Sequence, residues 1–146
     1  MKTLLFQSAD SWAPLIIRLI LGIVLFAHGA QKMLGWFGGY GFTGSMNFFT
    51  QTLSLPYLVA LFIILLEFFG PMLLLAGAGT RLVALAIAGL FLGIILTNNI
   101  NNGFFMNWFN NQKGEGYEFS LLAIAMSLSL VLSGAGKLAL DNWMAR

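Results

Sequence analysis

The chain's only histidine, His28, stands four residues before Lys32 in the stretch FAHGAQKMLGWFGG, residues 26–39. An imidazole and an ammonium one helical turn apart can bind the same ligand oxygen or hand a proton from one to the other. Glu67, in the stretch LLEFFGP, is an isolated acid inside a second apolar run, and Glu115 and Glu118 stand together in GEGYEF. A carboxylate opposite a histidine and a lysine is a combination suited to proton transfer beside a bound polar group.

The elements that must position these residues are apolar helices. Four apolar stretches are read at residues 15–34, 56–78, 80–98 and 119–135. Each approaches the ~20 residues that cross a bilayer as a helix, and the last is short. Runs such as LVALFIILL and LVALAIAGLFLGIIL have no polar face to turn to water. The expectation is therefore an all-α, four-transmembrane-helix bundle forming a single domain over residues 1–146. Of its 146 residues 59% are hydrophobic and 8% charged, against roughly 25% charged in an ordinary soluble domain. The small-residue stretch AHGA at residues 27–30 resembles a signal-peptide cleavage site, but the segment before it is long for an n-region and carries Trp12, Pro14 and Arg18.

Orientation follows from the basic residues. With the N-terminus inside, Lys2, Arg18, Arg81, Lys137 and Arg146 lie on the inner side and Lys32 and Lys113 on the outer, so the expectation is N-in and C-in. Two longer loops then face outward. In the first, Met46, Phe49 and Leu53 recur at helical spacing, a pattern for a short interfacial helix that rests on the membrane or caps the bundle. The second, with its flanks, holds seven asparagines and four aromatic residues in NNINNGFFMNWFNNQKGEG, suited to the water–lipid interface. GAGT at residues 77–80 leaves only a tight turn between the second and third helices, and Gly89 and Gly93 form a small-residue pair for close helix contact.

At ~100° per residue, Arg18, His28 and Lys32 share one narrow face of the first helix, a face expected to turn inward. Counting ~1.5 Å per residue along antiparallel helices puts Glu67 about 5 Å from the level of His28 and about 10 Å from that of Arg18. Glu67 is then either ion-paired to Arg18 or protonated. Pro71 removes the N–H that the Glu67 carbonyl would accept, which predicts a kink and a free acceptor beside this acid. Glu118 falls in the first turn of the fourth helix, where it either caps that helix or meets Lys32 across the cavity mouth with Glu115.

Several classes are excluded. Without cysteine there is no thiolate chemistry and no cysteine-ligated iron–sulfur cluster, and one histidine rules out bis-histidine haem in one chain. No metal site is expected, because the one histidine lacks companion ligands at structural-zinc spacing. No serine stands in a nucleophile-elbow context, and nothing points to nucleic acid. A redox role would have to use a diffusible carrier or a partner's cofactor.

Taken in order, R-x-x-x-G-x-x-x-x-x-H-G-x-Q-K from Arg18 to Lys32, G-W-F-G-G from Gly35, E-F-F-G from Glu67, T-R at Thr80, N-G-F-F from Asn102 and G-E-G-Y-E from Gly114 resemble the DoxX family over nearly the whole chain. Members often carry a second histidine just before N-G-F-F, where this chain has Asn98 and Asn99. The resemblance implies a small four-helix protein of the bacterial plasma membrane with a role in redox or sulfur metabolism, such as the membrane subunit of a thiosulfate:quinone oxidoreductase.

The functional expectation is a quinone-interacting membrane subunit. His28, Lys32, Glu67 and Glu118 are the candidate catalytic residues, and Arg18, His28, Gln31 and Lys32 the candidate quinone-binding ones. Glu67 and Glu118 would move protons while Arg18 sets the charge of Glu67. The alternatives are a non-catalytic anchor for soluble redox or sulfur-transfer enzymes and, with no inverted repeat visible, a small-solute permease. Lipid is the expected environment, and a homo-oligomer is allowed.

Overall fold

The computed structural model describes residues 10–145. The described chain is all α, with no strand among those residues. Helix α1 spans Trp12–Leu34, α2 Gly41–Asn47, α3 Tyr57–Ala76, α4 Thr80–Ile94, α5 Glu118–Ser133 and α6 Leu140–Met144. Both α2 and α4 run on without a break into a wider π turn, at Phe48–Thr52 and Ile95–Asn99, and α4 then tightens to a 3-10 turn that ends at Asn102. The apolar span expected over 80–98 thus extends to Asn102. Lys2 and Arg146, two of the five basic residues assigned to one side, lie outside the described residues.

Each boundary has a local cause. Ser11 starts α1, its hydroxyl accepting from the Ala13 N–H, and Gly35 ends it in the left-handed conformation at φ 73°. Gly77 closes α3 in the same way at φ 67°, and α4 begins three residues later. Three helical spans are long and apolar enough to cross a bilayer: Trp12–Leu34, Tyr57–Ala76 and Thr80–Asn102. The fourth, α5, has 16 residues, or about 24 Å of helix against a hydrocarbon core of about 30 Å. Ile16, Ile20, Ile23, Phe62, Leu82 and Leu85 all point outward, the reverse of a water-facing surface.

The bundle is built from two main pairings, α1 with α3 and α4 with α5, joined where α3 meets α4 and α1 meets α5. Leu21, Leu25, Leu74, Ile87, Phe91 and Leu130 fill the centre. The α1–α3 pairing is close because α1 offers glycines seven residues apart. A Cβ at Gly22 would touch the Leu75 side chain, and one at Gly29 would run into the backbone of Glu67 and Phe68. Helix α3 is continuous through Pro71.

The two long loops share one end of the bundle, here the loop end, and the Gly77–Gly79 turn shares the other, the turn end, with Ser11 and the segment after α5. In the first loop α2 caps the bundle: Met46 and Phe49 are buried with Ala60 and Ile64, while Leu53 is exposed.

The turn end is tied by two buried charged side chains. Arg18, 1% exposed, donates five hydrogen bonds to carbonyls: Leu74 and Leu75 at the end of α3, and Ala135, Lys137 and Leu138 beyond α5. Asp141, also 1% exposed, accepts from the Gly79 N–H at 2.6 Å and the Thr80 N–H at 2.9 Å, and its own N–H donates to the Gly77 carbonyl. A carboxylate thereby satisfies the first free donors of α4.

Candidate functional site

Helices α1 and α3 run antiparallel, and the Gly29–Glu67 contact sets their register. That contact places Lys32, nearly one turn beyond Gly29, within reach of the Glu67 side chain. The Lys32 ammonium lies 2.6 Å from Glu67 Oε2, with the two side chains 27% and 10% exposed. Two opposite charges this close, and this far from bulk water, neutralise one another at the edge of the apolar region.

The ion pair of Glu67 with Arg18, one of the two arrangements expected for this acid, is not formed. Arg18 lies eleven residues before Gly29, about 16 Å further toward the turn end at 1.5 Å per residue. Its guanidinium is fully occupied by backbone carbonyls there, so it neither binds in the site nor sets the charge of Glu67.

His28 is exposed on α1 and its ring centroid stands 6.0 Å from that of Phe119 in α5. With Lys32 and Glu67 it lines a cavity of about 320 Å³ that reaches α4 and α5. Leu25, Phe91, Ile94 and Phe119 form its apolar wall, and Asn98, Asn99 and Ser120 add neutral polar groups. The two asparagines come from the π turn that extends α4. Such a wide turn shifts the register of the residues after it and is common at functional sites.

The second loop roofs this cavity, and its acids hold the roof. Glu118 Oε1 accepts from the Met106 N–H at 2.9 Å and from Trp108 Nε1, and Glu115 Oε2 accepts from the Asn107 N–H at 2.7 Å. Asn99 and Asn102 donate to the carbonyls of Gly116 and Glu115. Glu118 therefore does not meet Lys32 across the mouth, because its carboxylate is turned to the loop. Glu115 does line the cavity, with one oxygen engaged by the loop.

Gln31 faces a different space. Its amide donates to the Phe37 carbonyl, and the residue lines a second cavity of about 270 Å³ between the end of α1 and α2. Lys32 borders both cavities. Of the residues singled out from the sequence, the fold brings His28, Lys32 and Glu67 together, keeps Gln31 beside His28 while it also borders the second cavity, and sends Arg18 and Glu118 to other tasks.

The chain matches the DoxX family over residues 13–100. A Bacillus subtilis (strain 168) protein named "Putative oxidoreductase CatD" is similar to it, 33% identical over 130 residues that cover 89% of this chain and 85% of that protein. This chain belongs to the DoxX family. No solved structure matches it. In this DoxX chain the matched region carries α1, α3 and the extended α4, hence the ion pair and His28. The roof loop and α5 lie beyond that region.

The cavity is also lined by Ser120, which sequence reasoning passed over, and by Asn98 and Asn99, which it noted without a role in the site. Their signal was position: two amides close the third apolar run, and a serine opens the fourth, both at the level of His28.

Proposed function

We propose that this protein is a quinone-interacting membrane subunit of an oxidoreductase, lying N-in and C-in in the bacterial plasma membrane with the loop end outward. The single observation that carries the reading is the cavity in which His28 and the Lys32–Glu67 pair face an apolar wall. A quinone ring needs such a combination: flat apolar surface for its faces and donors for its oxygens. Its ~320 Å³ falls at the small end of ligand cavities, enough for a ring whose tail leaves toward lipid. Similarity to a protein named as an oxidoreductase supports the same class.

A quinone supplies two-electron, two-proton chemistry when bound, while the chain supplies binding and proton handling. His28 and Lys32 are the donors to a ligand oxygen. Glu67 takes up or releases a proton within reach of Lys32.

The test is native mass spectrometry of the protein extracted gently from its own membrane. A retained quinone that is lost in Glu67→Gln, with helicity unchanged by circular dichroism, is the expected result. A protein that carries no quinone, or a Glu67→Gln variant that holds it equally well, overturns the assignment.

One observation favours a scaffold role instead. Carboxylates that order the second loop present Trp108 and Phe109 outward, 78% and 86% exposed. A stoichiometric soluble enzyme in the same spectra, released by Trp108→Ala and Phe109→Ala together, would establish that role.

A further inference from the structure

The cavity between the end of α1 and α2 is the mirror of the first in one respect and its opposite in another. Both are bordered by Lys32. The first also contains the carboxylates of Glu67 and Glu115, whereas the second contains no acid among its described lining, so its one formal charge is the Lys32 ammonium. Ser45, 5% exposed, lines this second cavity. A serine hydroxyl in a cavity wall can donate to a ligand acceptor. Phe48 and Phe49 supply apolar wall, and the Tyr40 ring stands at the opening.

The cavity shape is also fixed by backbone. A Cβ on Gly39 would collide with the main chain of Gln31, so the turn after α1 is pressed onto that helix and the space beyond it is kept open by close packing. A cation, a hydroxyl and an aromatic wall together select a negative head on an apolar body.

We propose that this second cavity binds an organic anion, its charged head between the Lys32 ammonium and the Ser45 hydroxyl and its apolar body against Phe48 and Phe49, in competition with Glu67 for Lys32. A carboxylate and a phosphate both meet this description, so the ligand comes either from solution as an aromatic acid or from the membrane as an anionic lipid head. The proposal stands on the second cavity and holds whether or not the first binds a quinone.

Isothermal titration of the full chain in neutral detergent tests it with four probes: benzoate, dihexanoyl phosphatidic acid, and their counterparts without net charge, benzyl alcohol and the zwitterionic dihexanoyl phosphatidylcholine. Saturable binding of an anion and not of its neutral counterpart is expected, and the anion that binds names the source. Glu67→Gln, which releases the ammonium, should tighten that binding by about tenfold, and Lys32→Gln should weaken it by at least about tenfold. Lys32→Arg, which keeps the charge, should restore it. Where Lys32→Gln does not fold, Ser45→Leu fills the cavity without touching the ion pair and should abolish binding. Equal binding of neutral and charged probes, no saturable binding, unchanged binding in Lys32→Gln or Ser45→Leu, or weaker binding in Glu67→Gln each overturns the proposal. None of these results bears on quinone retention by the first cavity, so the two readings fail separately.

Discussion

Gly29 of α1 meets Glu67 of α3 backbone to backbone: a Cβ at position 29 would stand 2.6 Å from the Glu67 carbonyl carbon. The carbonyl concerned is the one that Pro71, lacking an N–H, cannot engage four residues on. A hydrogen-bearing Cα packed there covers an acceptor that would otherwise be bare in an apolar setting. The contact also fixes the height at which Lys32 finds the Glu67 side chain. Glycine at 29 and proline at 71 are thus two halves of one joint.

Gly29→Ala should therefore lower stability by about 2 kcal/mol or more, the cost of overpacking against backbone that cannot move aside. Gly89→Ala makes the matched control, since its Cβ would meet open space, and it should gain about 0.5–1 kcal/mol from helix propensity. Thermal unfolding of both in the same detergent checks the pair, and equal effects would refute the joint.

Removing one half of the ion pair should cost more than removing both. Lys32→Met leaves Glu67 in an apolar setting without its partner and is expected to destabilise by about 3 kcal/mol, while Lys32→Met with Glu67→Leu recovers most of the loss. A double-mutant cycle by chemical unfolding in micelles reads the difference. Additive effects would mean that the two side chains act independently.

Arg18→Lys should be as harmful as a non-conservative change. A lysine offers three rotatable donors and cannot reproduce the planar fork that reaches carbonyls on both sides of the turn end. The expected loss is about 2–3 kcal/mol, from several charge-assisted bonds broken together. Because the site lies about 15 Å away along α1, ligand binding in the folded fraction should be unchanged. A selective loss of binding would place Arg18 back in the site.

The roof loop contains its own reporter. Lys113 is exposed within it, so trypsin should cleave there slowly in the native protein and at least about tenfold faster once Glu115→Gln and Glu118→Gln weaken the bonds to Met106, Trp108 and Asn107. Rates that do not change would show that other contacts order the loop.

The sequence made the helices legible because apolar length alone separates a membrane span from a soluble element, and it made His28, Lys32 and Glu67 legible because ionisable residues stand out against such runs. Arg18 misled for a reason of register. Antiparallel heights counted from loop boundaries carry an error of several residues, and only the Gly29–Glu67 contact shows that Lys32 lies level with the acid. Glu118 misled because a carboxylate in a helix's first turn has several donors available, and the choice fell to N–H groups of a loop that no periodicity describes. Asp141 was invisible for a similar reason: nothing local marks an acid near the end of the chain as the cap of a helix sixty residues earlier.

The acceptors of Arg18 also impose an order of events during biogenesis. Its guanidinium is made early, yet Ala135, Lys137 and Leu138 leave the ribosome about 120 residues later, on the order of 6–24 s at ordinary elongation rates. Through that interval the first helix holds a cation with fewer than half its final acceptors, so it must wait at the headgroup boundary, where water stands in for the missing carbonyls. Nascent chains halted before residue 135 should accordingly remain open to the quality-control proteases of the membrane, and the arrival of residues 135–138 is the step that latches the bundle.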